Sequence, residues 1–284
     1  MYKSASPSSA VVVGIDGSRW SVDAALWAIN EAVSRDVPLR LLYVVAPRGH
    51  GPLDPEQEAR DLACADVSVR RTLVAVESAE KPVKVEWEVL QGEPARVLLN
   101  ATRSADLLCI GSLGIAHATG QRLGSTATTL ATSALCPVAI VRSAQHWSAQ
   151  PRQVVVEVDE SPDSVHVLDA GVSEARLRGA PLTVLATWPT KLADTRENIE
   201  DERAYARLDK RLDRHRRMNP DIEFIPVAVR GSTMNYIDRH ADSIQLLVVG
   251  RHRRCGIAEI VGSAHTVPHP TNCSVLICQH HHRL

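Results

Sequence analysis

The sequence is poor in aromatic residues, which make up 4% of its 284 positions, and phenylalanine occurs once. Its hydrophobic cores must therefore be built from Val, Leu, Ile and Ala side chains. An excess of charge is also missing: the formal net charge at pH 7 is −1, which does not indicate a surface for binding nucleic acids. The remaining composition, 44% hydrophobic and 23% charged, is that of a globular protein long enough for two domains.

Long hydrophobic runs and closely paired cysteines are missing as well. No apolar run approaches the length that spans a membrane, and residues 1–10 lack the apolar segment of a secretory signal. None of the six cysteines stands in a Cys-x-x-Cys spacing. We therefore expect a cytoplasmic protein whose cysteines are reduced and mostly structural; they are Cys64, Cys109, Cys136, Cys255, Cys273 and Cys278.

Short apolar runs alternate with helical segments along the first half of the chain. This alternation is typical of an α/β fold, in which a parallel sheet carries helices on both faces. The predicted strands cover residues 11–15, 39–45, 83–89, 107–110 and 137–141, and the predicted helices cover 20–34, 56–79, 92–103 and 127–134.

The same succession of motifs starts again after a polar link at residues 142–152. Residues 153–161 repeat 11–18, and 246–250 repeat 107–111. Across these and the other repeated landmarks the offset drifts only from 143 to 137 residues. The chain is therefore predicted to hold two tandem doubly wound domains, residues 1–145 and 151–284, each a five-stranded parallel sheet with strand order 3-2-1-4-5.

The most specific motif follows the fourth predicted strand and contains three glycines. Gly111 and Gly114 let the backbone turn tightly and approach a ligand closely. Gly124 stands with Ser125 and Thr126 where a helix begins, and the unpaired N–H groups of such a helix end favour an anion such as a phosphate chain. The spacing is neither that of a P-loop nor that of a dinucleotide-binding loop. Taken alone, the glycines are also compatible with two ordinary turns.

The predicted topology brings a second feature to the same place. In a sheet of order 3-2-1-4-5, ligands bind in the crevice at the carboxyl ends of strands 1 and 4, where the winding reverses. Asp16 follows strand 1 and Gly111 ends strand 4, so both are expected at this crevice. The convergence favours a binding site, although Asp16 before Gly17-Ser18 is also typical of a turn that caps the first helix.

The motif Gly111-x2-Gly114-x9-Gly124-Ser125, with Val-Gly-Ile-Asp-Gly-Ser at 13–18 and Gly-Glu-Pro-Ala at 92–95, resembles the universal stress protein family in its tandem actinobacterial and mycobacterial form. The resemblance covers nearly the whole chain and implies the adenine nucleotide hydrolase-like fold. In ATP-binding members the aspartate after strand 1 contacts the adenosine end, the backbone at the end of strand 2 meets the adenine, and the glycine loop holds the phosphates. The resemblance thus implies ATP, with or without Mg²⁺, bound by Gly14, Asp16, Val44, Gly111, Ser112, Leu113, Gly114, Gly124, Ser125 and Thr126.

The second copy departs from this pattern. Glu157 replaces Gly14 and Arg253 replaces Gly114. A carboxylate repels a triphosphate, whereas the arginines of this loop offer cations that bind phosphate. We expect a second site at least about tenfold weaker than the first, formed by Asp159, Gly250, Arg253, Gly262 and Ser263.

The resemblance implies a regulatory ATP-binding protein of stress or dormancy adaptation, such as the response to hypoxia, and not a catalyst. Two alternatives stay open: an ATP-hydrolysing enzyme of the same fold, and an interaction scaffold without nucleotide. The expected partners are an adenine nucleotide and the chain's own second domain, arranged as a pseudo-twofold pair through the fifth strands, with further homodimerisation as an extension; neither nucleic acid nor membrane is expected. The histidines at 280–282 are typical of a solvated tail, so no metal site is predicted.

Overall fold

The computed structural model describes residues 9–47, 54–114, 123–142, 152–159, 161, 163–188, 197–253, 256–257, 260 and 273–279. The chain divides into two compact units at residues 146 and 147. Each unit is an α/β domain built on parallel strands, as the alternating pattern predicts. Within the described ranges, none of the helices combines the length and the apolar character that crossing a membrane requires.

The first domain has five parallel strands in the order β3-β2-β1-β4-β5, which confirms the predicted 3-2-1-4-5 topology. The strands at its centre are buried aliphatic runs, as expected for a sheet covered on both faces. The strands are β1 (Val11–Ile15), β2 (Leu39–Val45), β3 (Val85–Gln91), β4 (Leu107–Gly111) and β5 (Val138–Val141), and the helices are α1 (Arg19–Arg35), α2 (Pro55–Glu77), α3 (Pro94–Ala101) and α4 (Ser125–Ser133).

The second domain repeats this arrangement, with parallel strands in the order β8-β7-β6-β9-β10. The strands are β6 (Gln153–Val158), β7 (Leu182–Trp188), β8 (Phe224–Arg230), β9 (Ile244–Gly250) and β10 (Ser274–Cys278), and the helices are α5 (Ser164–Arg178), α6 (Glu197–Met218) and α7 (Thr233–Arg239). A short 3₁₀ helix, Ala241–Ser243, precedes β9.

The internal repeat extends to a buried ion pair. Glu31 of α1 has a fully buried side chain that pairs with Arg35 one turn later, at 2.5 Å. In α5, Glu174 pairs with Arg178 in the same way, and its side chain is 3% exposed. The two pairs occupy equivalent positions of equivalent helices, which supports the alignment of the two copies residue by residue.

Element boundaries differ from the predicted ones by one or two residues at several places. The third strand begins at Val85 instead of residue 83, and the helix after the glycine motif begins at Ser125 instead of residue 127. The second difference matters for the site, because Ser125 and Thr126 thereby belong to the first turn of α4 and Gly124 is the residue that precedes it.

Candidate functional site

The carboxyl ends of β1 and β4 lie side by side, with Gly14 opposite Ile110. Helices α3 and α4 pack against each other and cover one face of this edge of the sheet. Between these elements lies a pocket of about 270 Å³, near the lower end of the range for small-molecule sites. The pocket stands where the predicted topology puts a ligand site.

The pocket has an apolar side and a polar side. Leu42, Val44, Pro94 and Leu98 form the apolar side, where a flat heterocycle can pack. The polar side consists of the glycine loop and the start of α4. Of the residues predicted from the sequence, all but Ser112 line the pocket: Gly14, Asp16, Val44, Gly111, Leu113, Gly114, Gly124, Ser125 and Thr126.

Helix α4 begins at the pocket without a capping side chain. Ser18, Asp54 and Glu93 cap α1, α2 and α3 by accepting hydrogen bonds from backbone N–H groups of the first turn. The residue before α4 is Gly124, which offers no such acceptor. The first N–H groups of a helix have no partner within the helix, so those of α4 are available to an anion in the pocket.

Ser112 belongs to the glycine loop but does not line the pocket. It is buried, at 5% exposure. Its backbone N–H donates to the Val141 carbonyl at 2.9 Å, and its carbonyl accepts from the Gly124 N–H at 3.2 Å. These two bonds tie the start of the glycine loop to β5 and to the entrance of α4. The structure thus shows Ser112 positioning the loop, and its contact with a ligand stays a prediction.

Asp16 takes part in both the turn and the pocket. Its Oδ1 accepts the backbone N–H of Ser18 at 2.9 Å, as expected of a turn that caps a helix. Its Oδ2 faces the glycine loop, because a methyl group added at Gly114 would lie 3.0 Å from that oxygen. The turn interpretation of Asp16 is thus observed in one carboxylate oxygen, and the other oxygen leaves the binding interpretation open as a prediction.

The glycines of the motif are required for different reasons. A side chain at Gly111 would have its Cβ 2.7 Å from the carbonyl carbon of Trp20, so the start of α1 excludes it. Among the described residues, a Cβ at Gly124 would meet nothing closer than the Gly114 nitrogen at 3.9 Å. Gly124 has φ −62° and ψ 153°, angles that other residues adopt readily. Within the described part of the chain, packing and backbone angles therefore do not require glycine at this position.

Sequence reasoning missed most of the apolar side. Leu42 could have been predicted from the sequence, because residues two apart in a strand share a face and Val44 is a predicted site residue. Pro94 and Leu98 belong to α3, and the Gly-Glu-Pro-Ala sequence at its start indicates the family resemblance without predicting that α3 lines the pocket. Ile15, Ser21, Ile110 and Ala127 complete the lining; nothing in the sequence distinguishes them from ordinary core residues.

The equivalent crevice of the second domain is nearly closed, with a cavity of about 20 Å³. Asp159, Gly250 and Arg253 do lie there, as predicted. The Arg253 guanidinium pairs with Glu157 at 2.6 Å, with both side chains buried, so its positive charge is balanced by this carboxylate. Gly262 and Ser263 lie outside the described residues.

Asp159 is held by its own loop. Its Oδ1 accepts hydrogen bonds from the hydroxyls of Ser161 and Ser164, each at 2.5 Å. Burial alone would raise the pKa of the Asp159 carboxyl, but these bonds and the nearby Arg211 outweigh it and lower the pKa below its usual value of 3.8. The carboxylate is thus a structural part of this turn.

Known proteins are similar to this one over nearly the whole length of the chain. The sequence model of the universal stress protein family matches residues 8–142 and 151–279. Universal stress protein Rv2028c of Mycobacterium tuberculosis is 39% identical over 279 residues, covering 98% of this chain and 98% of its own length. Universal stress protein Rv2624c of the same organism is 38% identical over 269 residues, covering 94% and 95%. A solved universal stress protein from Archaeoglobus fulgidus shares the fold, with a TM-score of 0.71 at 17% identity over 95% of this chain and 96% of that chain.

Proposed function

Because this chain belongs to the universal stress protein family, we propose that its first domain binds ATP and that it serves stress or dormancy adaptation by binding this nucleotide. The observation that carries the proposal is the uncapped start of α4 at the polar side of an otherwise apolar pocket. An apolar slot next to free N–H groups suits a ligand with a flat body and an anionic tail. A nucleoside polyphosphate has both.

The lining suggests how the two ends of ATP are bound. The adenine packs between Val44 and Leu42 on one side and Pro94 on the other, and the ribose lies near Asp16, whose carboxylate accepts hydrogen bonds from its hydroxyls. The phosphates lie against the N–H groups of α4 and the hydroxyls of Ser125 and Thr126. Mg²⁺, when present, supplies the positive charge that the described lining does not offer.

We propose binding and not turnover as the role of the site. Among the lining residues that the structure describes, Asp16 is the one with an ionisable side chain. A single carboxylate that already caps a turn does not provide both a general base and a metal site. Turnover at about 1 per second or faster would favour the alternative of an ATP-hydrolysing enzyme.

We further propose one tight site per chain. The first pocket is open, at about 270 Å³, whereas the second crevice retains about 20 Å³. We also propose a cytoplasmic location, because Cys64 and Cys136 form no disulfide among the described residues and reduced cysteines are typical of that compartment.

The nucleotide content of gently purified protein tests the proposal. Heat-released ligand, identified by chromatography, is expected to be an adenine nucleotide, and titration of the emptied protein with ATP is expected to saturate near one per chain. A protein that carries no nucleotide and binds none in the titration would favour the scaffold alternative. Two equal sites would refute the assignment of binding to the first domain alone.

A further inference from the structure

Three residues that line the first pocket have counterparts of very different chemistry in the second domain. Gly14 lies opposite Leu42 of β2, and Glu157 lies opposite Leu185 at the matching place of β6 and β7. Pro94 and Thr233 match because each is the first residue of the helix that follows the third strand of its domain. Gly114 and Arg253 match because each is the third residue after the glycine that ends the fourth strand.

The three replacements contact one another. Arg253 donates from Nε to Glu157 Oε2 at 2.6 Å and from Nη2 to Glu157 Oε1 at 2.8 Å, a two-pronged pair. The hydroxyl of Thr233 donates to the same Oε1 at 2.6 Å. The remaining guanidinium nitrogen, Nη1, donates to the Gly256 carbonyl at 3.0 Å. The Arg253 and Glu157 side chains are 3% and 8% exposed, so the network lies inside the domain.

Each replacement alone would be unfavourable. A buried carboxylate without a cation is costly, and so is a buried guanidinium without an anion. A proline at position 233 would leave the Glu157 carboxylate with one hydrogen-bond donor fewer. The three changes are therefore compatible with a stable fold as a set, and Glu157 and Arg253 line the cavity of about 20 Å³ that the structure describes there.

We infer that Glu157, Thr233 and Arg253 act together as an internal substitute for a nucleotide, which closes the second crevice to ligands. The Glu157 carboxylate takes up the positive charge and two of the hydrogen-bond donors of the Arg253 guanidinium, which a phosphate would otherwise bind. The same carboxylate occupies the place that Gly14 leaves open in the first domain. The inference rests on the proposed function, because the first pocket provides the reference for a nucleotide site.

The first test converts the network back to the residues of the first domain. It is made in an Asp16→Ala chain, in which binding to the first domain is expected to be at least about tenfold weaker. The triple variant Glu157→Gly, Thr233→Pro, Arg253→Gly is expected to bind one ATP per chain, at least about a hundredfold more tightly than the Asp16→Ala parent. A folded triple variant that still binds no ATP overturns the inference, and so does a parent chain that already binds ATP in its second domain.

The second test needs no nucleotide and therefore separates a failure of this inference from a failure of the proposed function. Hydrogen exchange of β6 and β9 peptides is measured in nucleotide-free protein. Arg253→Met is expected to reduce protection at least about a hundredfold, because Glu157 is left buried without its cation. The double variant Glu157→Met, Arg253→Met is expected to recover most of that protection. Equal protection in the wild type and the single variant would show that the pair does not fill the crevice.

Discussion

The carboxylate of Asp16 and the backbone of Gly114 face each other in the lining of the first pocket, where a methyl group at Gly114 would stand 3.0 Å from Asp16 Oδ2. In the second domain the matching carboxylate, that of Asp159, accepts hydrogen bonds from the hydroxyls of Ser161 and Ser164. Arg253 stands at the position that matches Gly114. The same pair of positions thus lines an open pocket in the first domain and is occupied by hydrogen-bonded and ion-paired side chains in the second.

The two aspartates are expected to differ in their effect on nucleotide binding. Asp16→Ala should weaken ATP binding at least about tenfold, or about 1.4 kcal/mol, because the carboxylate that faces the pocket is lost. Asp159→Ala should leave the affinity and the stoichiometry unchanged. Isothermal titration with ATP measures both. Asp16→Asn serves as the control for folding, because its side-chain oxygen still accepts the Ser18 N–H.

The two glycines of the phosphate loop are expected to separate binding from folding. Gly124→Val should reduce ATP affinity at least about a hundredfold, about 2.7 kcal/mol, because the side chain blocks the approach of phosphate to α4. Its thermal stability should stay close to that of the wild type, since the nearest atom of the described residues, the Gly114 nitrogen, lies 3.9 Å from the new Cβ.

Gly111→Val is the matched comparison. Its Cβ would lie 2.7 Å from the Trp20 carbonyl carbon, so the variant should lose about 1–3 kcal/mol of folding free energy as well as binding. Circular dichroism melts beside ATP titrations distinguish the two effects. If Gly124→Val binds ATP normally, the start of α4 is not the phosphate site.

The cysteines are expected to differ sharply in reactivity. Burial raises the pKa of the Cys136 thiol to about 12, so at pH 8 only about one molecule in ten thousand carries the reactive thiolate. Cys64 is exposed on α2. Brief treatment of the native protein with iodoacetamide should therefore modify Cys64 and spare Cys136, as read by peptide mass spectrometry. Labelling of both at the same rate would show that β5 opens readily.

Asp159 is expected to make the second domain sensitive to acid. Its carboxyl pKa is lowered below 3.8 in the folded state, where hydrogen bonds to Ser161 and Ser164 outweigh the opposing effect of burial. A lowered pKa means that folding favours the carboxylate, so this contribution is present above about pH 4 and is lost as the pH falls through the folded pKa. Urea unfolding of wild type and Asp159→Asn should differ at pH 7 and converge towards pH 3. A constant difference would place the stabilisation elsewhere.

Topology and the polar half of the site were predictable from the sequence, for identifiable reasons. The α/β class follows from the alternating pattern, the two domains follow from the repeat, and the strand order follows from the doubly wound fold that the family resemblance implies. The positions of Asp16 and Gly111 follow from that strand order. The pairing of the two domains through their fifth strands, and any homodimer, stay predictions.

The contacts that individual side chains make were much harder to predict from the sequence. Glu157 and Arg253 are both recognisable as departures from the motif, but their mutual pairing depends on side-chain directions that spacing does not specify. The motif also treats Gly111 and Gly124 alike, whereas one is required by the Trp20 backbone and the other has room for a side chain. Contacts between elements decide such questions, and a single sequence does not contain them.

Under the proposal that only the first domain binds a nucleotide, one chain contains both a responsive domain and an internal reference. A rise in nucleotide concentration would then stabilise only the first domain, through the free energy of binding, while the second domain would respond to heat and denaturant as before. Limited proteolysis of the two halves, compared as a ratio, would therefore report the metabolite level and cancel conditions that act on both. The duplication would in this way give the nucleotide response of the first domain an internal control within the same chain.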